Sequence, residues 1–336
     1  MEDQGKIDYL AVFALLILMV VALAILSSLL PLIVADTTIT EVEVRNANPY
    51  ILRADMNIFK NTGDATLDLS ANTTVQITCN ATLNDINGNT DISAVNATLY
   101  DTVSSASTGG VTVSSLDNNT KYINTSCSLI AGSGNTRGAI CQFTVWYYAN
   151  NATWSCNMTA YDSQNNINST YANKTINPLT SLSIPGSINF GTISPGESAL
   201  VNKTNITNTG NTILDLSIYG YGNGQTDSPN ALNCTAPTTG VDPGDKNITL
   251  YFLRYNVTDR IGGDCANFNW TVSYWNMTNI SNARNWTQFS LGPRTNDAFA
   301  VANYTCWVLR LPTAAEAEVS GSCRGQVSIS AFINEA

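Results

Sequence analysis

The feature that most constrains this chain is an uncharged apolar run over residues 9–35, YLAVFALLILMVVALAILSSLLPLIVA. As an α-helix the run would extend for roughly 40 Å, more than the roughly 30 Å hydrocarbon core of a bilayer. Apolar side chains surround the axis, so no face of this helix suits water. We therefore predict a hydrophobic membrane or filament-core helix at residues 9–35, after a short cytoplasmic or signal segment at residues 1–8. The simplest alternative is a plain membrane anchor. A secretory signal peptide is disfavoured, because its apolar region is shorter than this run.

Charge and composition narrow the function classes. The chain has 336 residues, a net charge of −10 and no histidine. An acidic chain disfavours nucleic-acid binding, which needs a basic patch to neutralise phosphates. The lack of histidine removes the commonest general base and metal ligand. We find no nucleophile with a base, no phosphate-binding loop and no paired catalytic acids. We therefore predict no enzymatic activity, no catalytic residues, no cofactor and no nucleic-acid partner.

Asn-X-Ser/Thr sequons are unusually frequent. The 41 asparagines and 69 serines and threonines would make about 8 sequons by chance, and the chain has nineteen, none before residue 72. This excess predicts N-glycosylation and places the chain after the helix outside the cell. The sequons are Asn72, Asn80, Asn96, Asn118, Asn124, Asn151, Asn157, Asn168, Asn173, Asn202, Asn205, Asn233, Asn247, Asn256, Asn269, Asn276, Asn279, Asn285 and Asn303.

Eight cysteines agree with an exported location. No Cys-X-X-Cys pair and no histidine is present to complete a zinc site, so disulfides are favoured over metal binding. Four cysteines in each half predict two bridges per domain. Spacing does not determine connectivity, and our guess is Cys79–Cys156, Cys127–Cys141, Cys234–Cys265 and Cys306–Cys323.

The exported part is predicted to be β-structure. Its segments alternate apolar and polar residues and are bounded by Gly, Asn, Asp and Pro, as in residues 154–160, 247–257 and 267–275. Strands with one buried and one polar face are typical of antiparallel sandwiches. We predict a mainly β fold with two immunoglobulin-like antiparallel β-sandwich domains, at residues 36–178 and 179–336.

A decapeptide occurs twice, as NTGDATLDLS at residues 61–70 and NTGNTILDLS at residues 208–217. We interpret each copy as a hairpin, with Gly63 and Gly210 at positive φ and the leucines pointing inward. The paired Asp68 and Asp215 would then face solvent, which favours a structural over a catalytic interpretation. The second copy resembles Asn-Thr-Gly-Asn hairpins of immunoglobulin-like modules on archaeal surface proteins.

A polar segment at residues 85–91, DINGNTD, places oxygen ligands at alternate positions: Asp85, Asn87, Asn89 and Asp91. Such spacing suits a Ca²⁺ loop. Its glycine is at the fourth place instead of the sixth, and an Asn-Gly hairpin explains the segment as well. We therefore predict no metal, with Ca²⁺ at these four residues as the alternative.

Residues 4–10, QGKIDYL, resemble the class III signal peptide of archaeal type IV pilin-like proteins. Its pattern is Gln, a small residue, any residue, an aliphatic, Glu, Tyr and Leu, and the residues that match are Gln4, Gly5, Ile7, Tyr9 and Leu10. Asp8 stands where the family has Glu. The resemblance implies that a prepilin peptidase cuts before Gln4 and that the Asp8 carboxylate assists assembly. Residues 1–3 depart from the family, which has Lys or Arg and then Gly or Ala before the cut.

These observations predict a heavily N-glycosylated, pilin-like structural subunit of an archaeal extracellular filament. The helix would form the filament core by self-association and would lie in the membrane before assembly, while the sandwiches face outward. The alternative is a membrane-anchored surface glycoprotein, acting in adhesion or in the cell envelope, that does not polymerise. Either protein belongs at the cell surface, and neither prediction identifies a surface or host ligand.

Overall fold

A computed structural model describes residues 9–29, 40–42, 45–104, 117–222, 224–235, 247–257, 265, 274–295, 300–313, 316 and 319–334. The chain divides into two compact units, Met1–Arg45 and Asn46–Ala336. Among the described residues, the first unit contains the helix α1 and the second contains every strand. The predicted class, mainly β with one N-terminal apolar helix and antiparallel sandwich-like sheets, is confirmed.

Helix α1 extends over Tyr9–Leu29. Its leucines, alanines and methionine favour helix, and a helix satisfies its own backbone hydrogen bonds, which an apolar segment needs. The hydroxyls of Ser27 and Ser28 donate to the carbonyls of Ala24 and Ile25 at 2.9 and 2.8 Å, so both polar side chains are also satisfied within the helix. Residues 30–35 of the predicted helix lie outside the described residues.

The strands of the first sandwich form two antiparallel sheets. They are β1 Tyr50–Ile51, β2 Asn57–Phe59, β3 Thr74–Asn84, β4 Ile92–Asp101, β5 Lys121–Asn124, β6 Ser128–Leu129, β7 Thr136–Trp146, β8 Thr153–Asp162 and β9 Ile167–Thr175. One sheet has the order β1-β3-β7-β6, with β2 also on β3, and the other has the order β5-β4-β8-β9.

Period-two burial on β3 shows why these sheets pack face to face. Every second residue of the strand is buried, namely Val75, Ile77, Cys79, Ala81 and Leu83. The register with β7 places Val75 opposite Val145 and Ile77 opposite Phe143, so apolar side chains meet on the same face. Trp154 of β8 is fully buried in the same core. Residues 154–160 therefore form the predicted strand with an inward apolar face.

The second sandwich is built in the same way. Its strands are β10 Leu182–Ser183, β11 Asn202–Asn208, β12 Leu214–Tyr221, β13 Asn230–Cys234, β14 Asn247–Thr249, β15 Leu253–Val257, β16 Trp275–Asn276, β17 Arg284–Leu291, β18 Ala302–Leu309, β19 Cys323–Arg324 and β20 Gln326–Ile333. A sheet of order β10-β11-β18-β15-β16 lies beside sheets β17-β12-β20 and β14-β13-β19. Their shared core includes Trp307, whose ring stacks on that of Tyr255 at 5.2 Å between centroids.

One predicted strand is interrupted. Residues 247–257 were expected to alternate continuously, but a 3-10 helix at Leu250–Phe252 separates β14 from β15. The reason is a change of sheet, because β14 pairs with β13 while β15 pairs with β18. Of the predicted strand at 267–275, residues 267–273 lie outside the described residues.

The repeated decapeptide does not form hairpins. In the second copy the chain leaves β11 and enters β12, which belongs to a different sheet. In the first copy β2 is followed by a turn at 61–64, and Leu67 then makes an isolated parallel bridge to Ile176. Each copy therefore crosses between sheets, and its leucines enter separate cores as predicted.

The two glycines of the repeat have different roles. Gly63 has φ +93°, as predicted, whereas Gly210 is outside the positive-φ region, so that part of the prediction was wrong. A Cβ at Gly210 would lie 2.0 Å from the carbonyl oxygen of Leu179, so close approach of backbone requires this glycine.

The second copy lies at the junction of the sandwiches. The Asn211 side chain donates to the carbonyl of Ala149 at 2.9 Å and accepts from the amide of Leu179 at 2.6 Å. Nearby, the guanidinium of Arg294 lies over the ring of Tyr148, 4.6 Å from its centroid. Both sandwiches belong to the single unit Asn46–Ala336, and the boundary at 178/179 stays a prediction.

Candidate functional site

Helix α1 presents an apolar surface on every side. Its residues from Tyr9 to Ser28 are all exposed, and fourteen of them are large apolar residues. Within the described part of the chain it is the one helix long and apolar enough to cross a membrane. Tyr9 is its first residue, while the predicted processing residues Gln4, Gly5 and Asp8 lie outside the described residues.

The sequons differ in exposure. The exposed ones are Asn72, Asn151, Asn173, Asn205, Asn276 and Asn285. Eleven are half-buried, namely Asn80, Asn96, Asn118, Asn124, Asn157, Asn168, Asn202, Asn233, Asn247, Asn256 and Asn279. Asn303 lies in β18 and is only 3% exposed, so the folded chain shields it from a glycan. Asn269 lies outside the described residues.

All eight cysteines form disulfides, two in each sandwich. The bridges Cys79–Cys156 and Cys127–Cys141 are those guessed from the sequence. The other guesses were wrong, because the structure pairs Cys234 with Cys323 and Cys265 with Cys306. The β13–β19 ladder places Cys234 opposite Cys323, a contact between residues distant in sequence. These disulfides indicate an extracellular protein, for which α1 can serve as a signal or an anchor.

The two aspartates of the repeat lie in different sandwiches and do not meet. Asp68 is exposed, as expected. Asp215 is buried, and its carboxylate accepts a hydrogen bond from the backbone amide of Ser290 at 3.0 Å, so the prediction of a solvent-facing Asp215 was wrong. The register between β12 and β17 shifts beside Asp215, and this irregularity brings the Ser290 backbone to the carboxylate. Asp215 therefore has a structural partner.

A cluster of three carboxylates lies at one end of the first sandwich. Asp85 follows β3, Asp91 precedes β4, and Asp162 ends β8. One carboxylate oxygen of each lies within 4.8 Å of the others. The pairing of Ile92 with Asp162 explains how Asp91 reaches this third carboxylate. The cluster thus crosses both sheets.

Two of the four predicted Ca²⁺ ligands, Asp85 and Asp91, belong to this cluster. The amide oxygen of Asn87 accepts from the backbone of Ala47 at 2.8 Å, and the amide nitrogen of Asn89 donates to the carbonyl of Gly134 at 2.7 Å. The sequence prediction missed Asp162, because a β-pairing distant along the chain brings it there. Its only local signal is its position between a strand and a polar turn.

Burial and hydrogen bonding shift the pKa values of Asp85 and Asp91 in opposite directions. Burial raises the pKa of the Asp85 carboxyl, and the neighbouring charges of Asp91 and Asp162 raise it further. The hydroxyl of Ser163 donates to Asp91 and lowers the pKa of that carboxyl. Asp162 Oδ1 accepts from the amides of Gln164 and Asn166 at 2.9 and 2.8 Å. The cluster therefore combines two buried carboxylates, Asp85 and Asp162, with the half-buried carboxylate of Asp91.

Comparisons with known proteins identify no family. No protein-family model matches the chain, and no curated protein does. It is similar to the secreted serine protease VesC from Vibrio cholerae, with 12% identity and a TM-score of 0.19 over 80% of this chain and 49% of that one. The chain thus spans about half the length of that protease.

A second similar structure is the CsuC–CsuE chaperone–tip adhesion subunit pre-assembly complex from archaic chaperone-usher Csu pili of Acinetobacter baumannii. Identity is 12% and the TM-score 0.30, over 79% of this chain and 96% of that one. Neither likeness carries an argument about function.

Proposed function

We propose that this chain is a glycosylated, pilin-like structural subunit of an extracellular filament, in which α1 packs against the α1 helices of other copies. The observation that supports this proposal is the exposure of α1 on all sides. Burying a large apolar side chain contributes about 1.5–3 kcal/mol, so the fourteen on α1 would together gain roughly 20 kcal/mol or more from an apolar environment. A helix with this surface must be covered by a lipid bilayer or by other helices, or first by the bilayer and then by other helices.

The N-terminal segment favours a filament. Residues 4–10 carry the pilin-like pattern, and Asp8 adds a carboxylate at the edge of the apolar run. A carboxylate there is costly alone and is stabilised by an α-amine on a neighbouring subunit. Removal of residues 1–3 would create that amine at Gln4.

The length of α1 favours a second candidate, a surface glycoprotein that is anchored but does not polymerise. The 21 described residues of α1 extend for about 31 Å, which is enough to cross the roughly 30 Å hydrocarbon core of a bilayer. In this candidate lipid alone covers the helix. The two candidates share the exported sandwiches and differ in what surrounds α1 at the cell surface.

A single introduced thiol distinguishes them. All native cysteines are paired, so Leu16→Cys on α1 adds one free thiol. In a filament, oxidation should cross-link this variant within surface fibres, and the matched exposed variant Leu200→Cys of the second sandwich should cross-link far less. Native protein from the same fibres should begin at Gln4 by mass spectrometry. Fibres that lack this chain, or a Leu16→Cys variant that stays monomeric, would establish the anchored protein instead.

A further inference from the structure

The carboxylate cluster contains two buried oxygens that accept no hydrogen bond from the described residues. Asp85 is fully buried, and its Oδ2 has no hydrogen-bond partner among the described residues. The buried Oδ2 of Asp91 likewise has none there. Protein structures rarely leave such acceptors unsatisfied, because a buried polar atom without a partner loses its hydration. These two oxygens therefore require a donor or a cation.

The nearby guanidinium does not supply it. Arg137 donates to the backbone carbonyls of Ile92 and Ile130, at 3.0 and 3.2 Å. Other described donors at the cluster reach different oxygens, since the Asn46 amide donates to Asp162 Oδ2 at 2.8 Å and the Ser163 hydroxyl donates to Asp91 Oδ1. Three carboxylates this close repel one another when ionised, and burial strengthens that repulsion.

We propose that Asp85, Asp91 and Asp162 bind one Ca²⁺ ion at the end of the first sandwich. All three offer hard oxygen ligands, the type that Ca²⁺ takes in sets of six to eight with flexible geometry. Three carboxylates supply three to six of these, and water can complete the set because Asp91 is only half-buried. Extracellular modules bind Ca²⁺ with dissociation constants of about 0.1–1 mM, a range suited to an exported protein.

The ion would join both sheets to the first residues of the β unit. Asp85 follows a strand of one sheet, while Asp91 and Asp162 belong to the other. Asn46 is the first residue of the unit and donates to Asp162. Ca²⁺ would therefore stabilise the end of the sandwich at which the β unit begins.

Thermal unfolding of the full-length chain in detergent, in EDTA and in CaCl₂, tests this proposal. In about 10 mM CaCl₂ the wild type should melt roughly 3–8 °C higher than in EDTA. Asp85→Asn should lose that increase and should melt above the wild type in EDTA, because it removes repulsion. Asp55→Asn, an exposed substitution in the same sandwich, should keep the increase.

Direct binding provides the second measurement. Equilibrium dialysis with CaCl₂ should give one ion per chain for the wild type and for Asp55→Asn, and none for Asp85→Asn. If Asp85→Asn does not fold, Asp91→Asn replaces it with the same expected loss, since Asp91 is only half-buried. No bound ion in the wild type, or equal binding by the Asp85 and Asp55 variants, would overturn the proposal. Filament formation is scored separately, so either proposal can fail alone.

Discussion

Asn211 connects the two sandwiches with one side-chain amide. Its nitrogen is shared between the carbonyls of Ala149 and Asn177, and its oxygen accepts from Leu179. The corresponding residue of the first copy, Asp64, instead accepts from the amide of Asn61 in an exposed turn. The two copies of the decapeptide therefore both cross between sheets, but they differ in backbone conformation and in environment.

At Gly210 we predict that Ala is far more destabilising than at Gly63. The Cβ of Gly210→Ala would meet the Leu179 carbonyl, and relieving that overlap should cost about 3 kcal/mol or more. Gly63 has open space around it, so Gly63→Ala should lower the free energy of unfolding only by the roughly 1–2 kcal/mol that an alanine costs at positive φ. Urea unfolding of both variants gives the comparison, and an equal loss would contradict this assignment of roles.

The sequence predicts part of this residue-level picture. The inward leucines of the repeat follow from alternation along a strand, which is a local property. The buried Asp215 and the close contact at Gly210 depend on the Ser290 backbone and on Leu179, which lie elsewhere in the chain. No pattern within ten residues contains that information.

Among the elements, β3 and β8 are joined by the disulfide that links the two sheets of the first sandwich. Cys79 and Cys156 are both fully buried and lie on opposite sheets. The bridge Cys127–Cys141 instead joins residues 14 apart in sequence, against 77 for the first. The entropy removed from the unfolded chain grows with loop length.

Replacing each disulfide-bonded pair by alanine should therefore lower the free energy of unfolding by different amounts. From loop closure alone, the free energy of unfolding should fall by about 4.5 kcal/mol in the double variant Cys79→Ala, Cys156→Ala. In the double variant Cys127→Ala, Cys141→Ala it should fall by about 3 kcal/mol. The cavity left by two fully buried sulfurs increases the first loss. Urea unfolding of the two double variants measures both, and the reverse order would show that loop entropy does not control their stability.

Strand existence is predictable here, whereas strand partners are not. Alternation identifies β8 correctly, because each inward residue meets the same core. It also predicts one strand over 247–257, where the chain changes sheet through Leu250–Phe252. Apolar periodicity indicates which face of a strand is buried. It does not indicate which other strand pairs with it. The wrong disulfides of the second sandwich and the missed Asp162 have this same origin.

For the whole molecule, glycan occupancy should follow exposure. Asn205 and Asn303 lie on neighbouring strands, since β11 pairs with β18, but only Asn205 is exposed. Peptide mass spectrometry of native protein should find a glycan at Asn205 and an unmodified Asn303. Comparable occupancy of the two asparagines would contradict the prediction.

The total glycan mass can be measured separately. Enzymatic or chemical deglycosylation should lower the apparent mass on a gel, with the protein expressed in bacteria as the unmodified reference.

The burial of Asn303 also imposes an order of events on biogenesis. An enzyme that recognises an extended Asn-Tyr-Thr acceptor can reach it only before β18 is covered by its neighbours. Cys306, three residues further on, closes its bridge to Cys265 in the same sandwich. In a glycosylated chain, folding and modification would compete for this strand, because a glycan on Asn303 would occupy a position that the folded sheet buries. We therefore expect early closure of the Cys265–Cys306 bridge to protect Asn303 from modification, and slow oxidation to lower the yield of native protein.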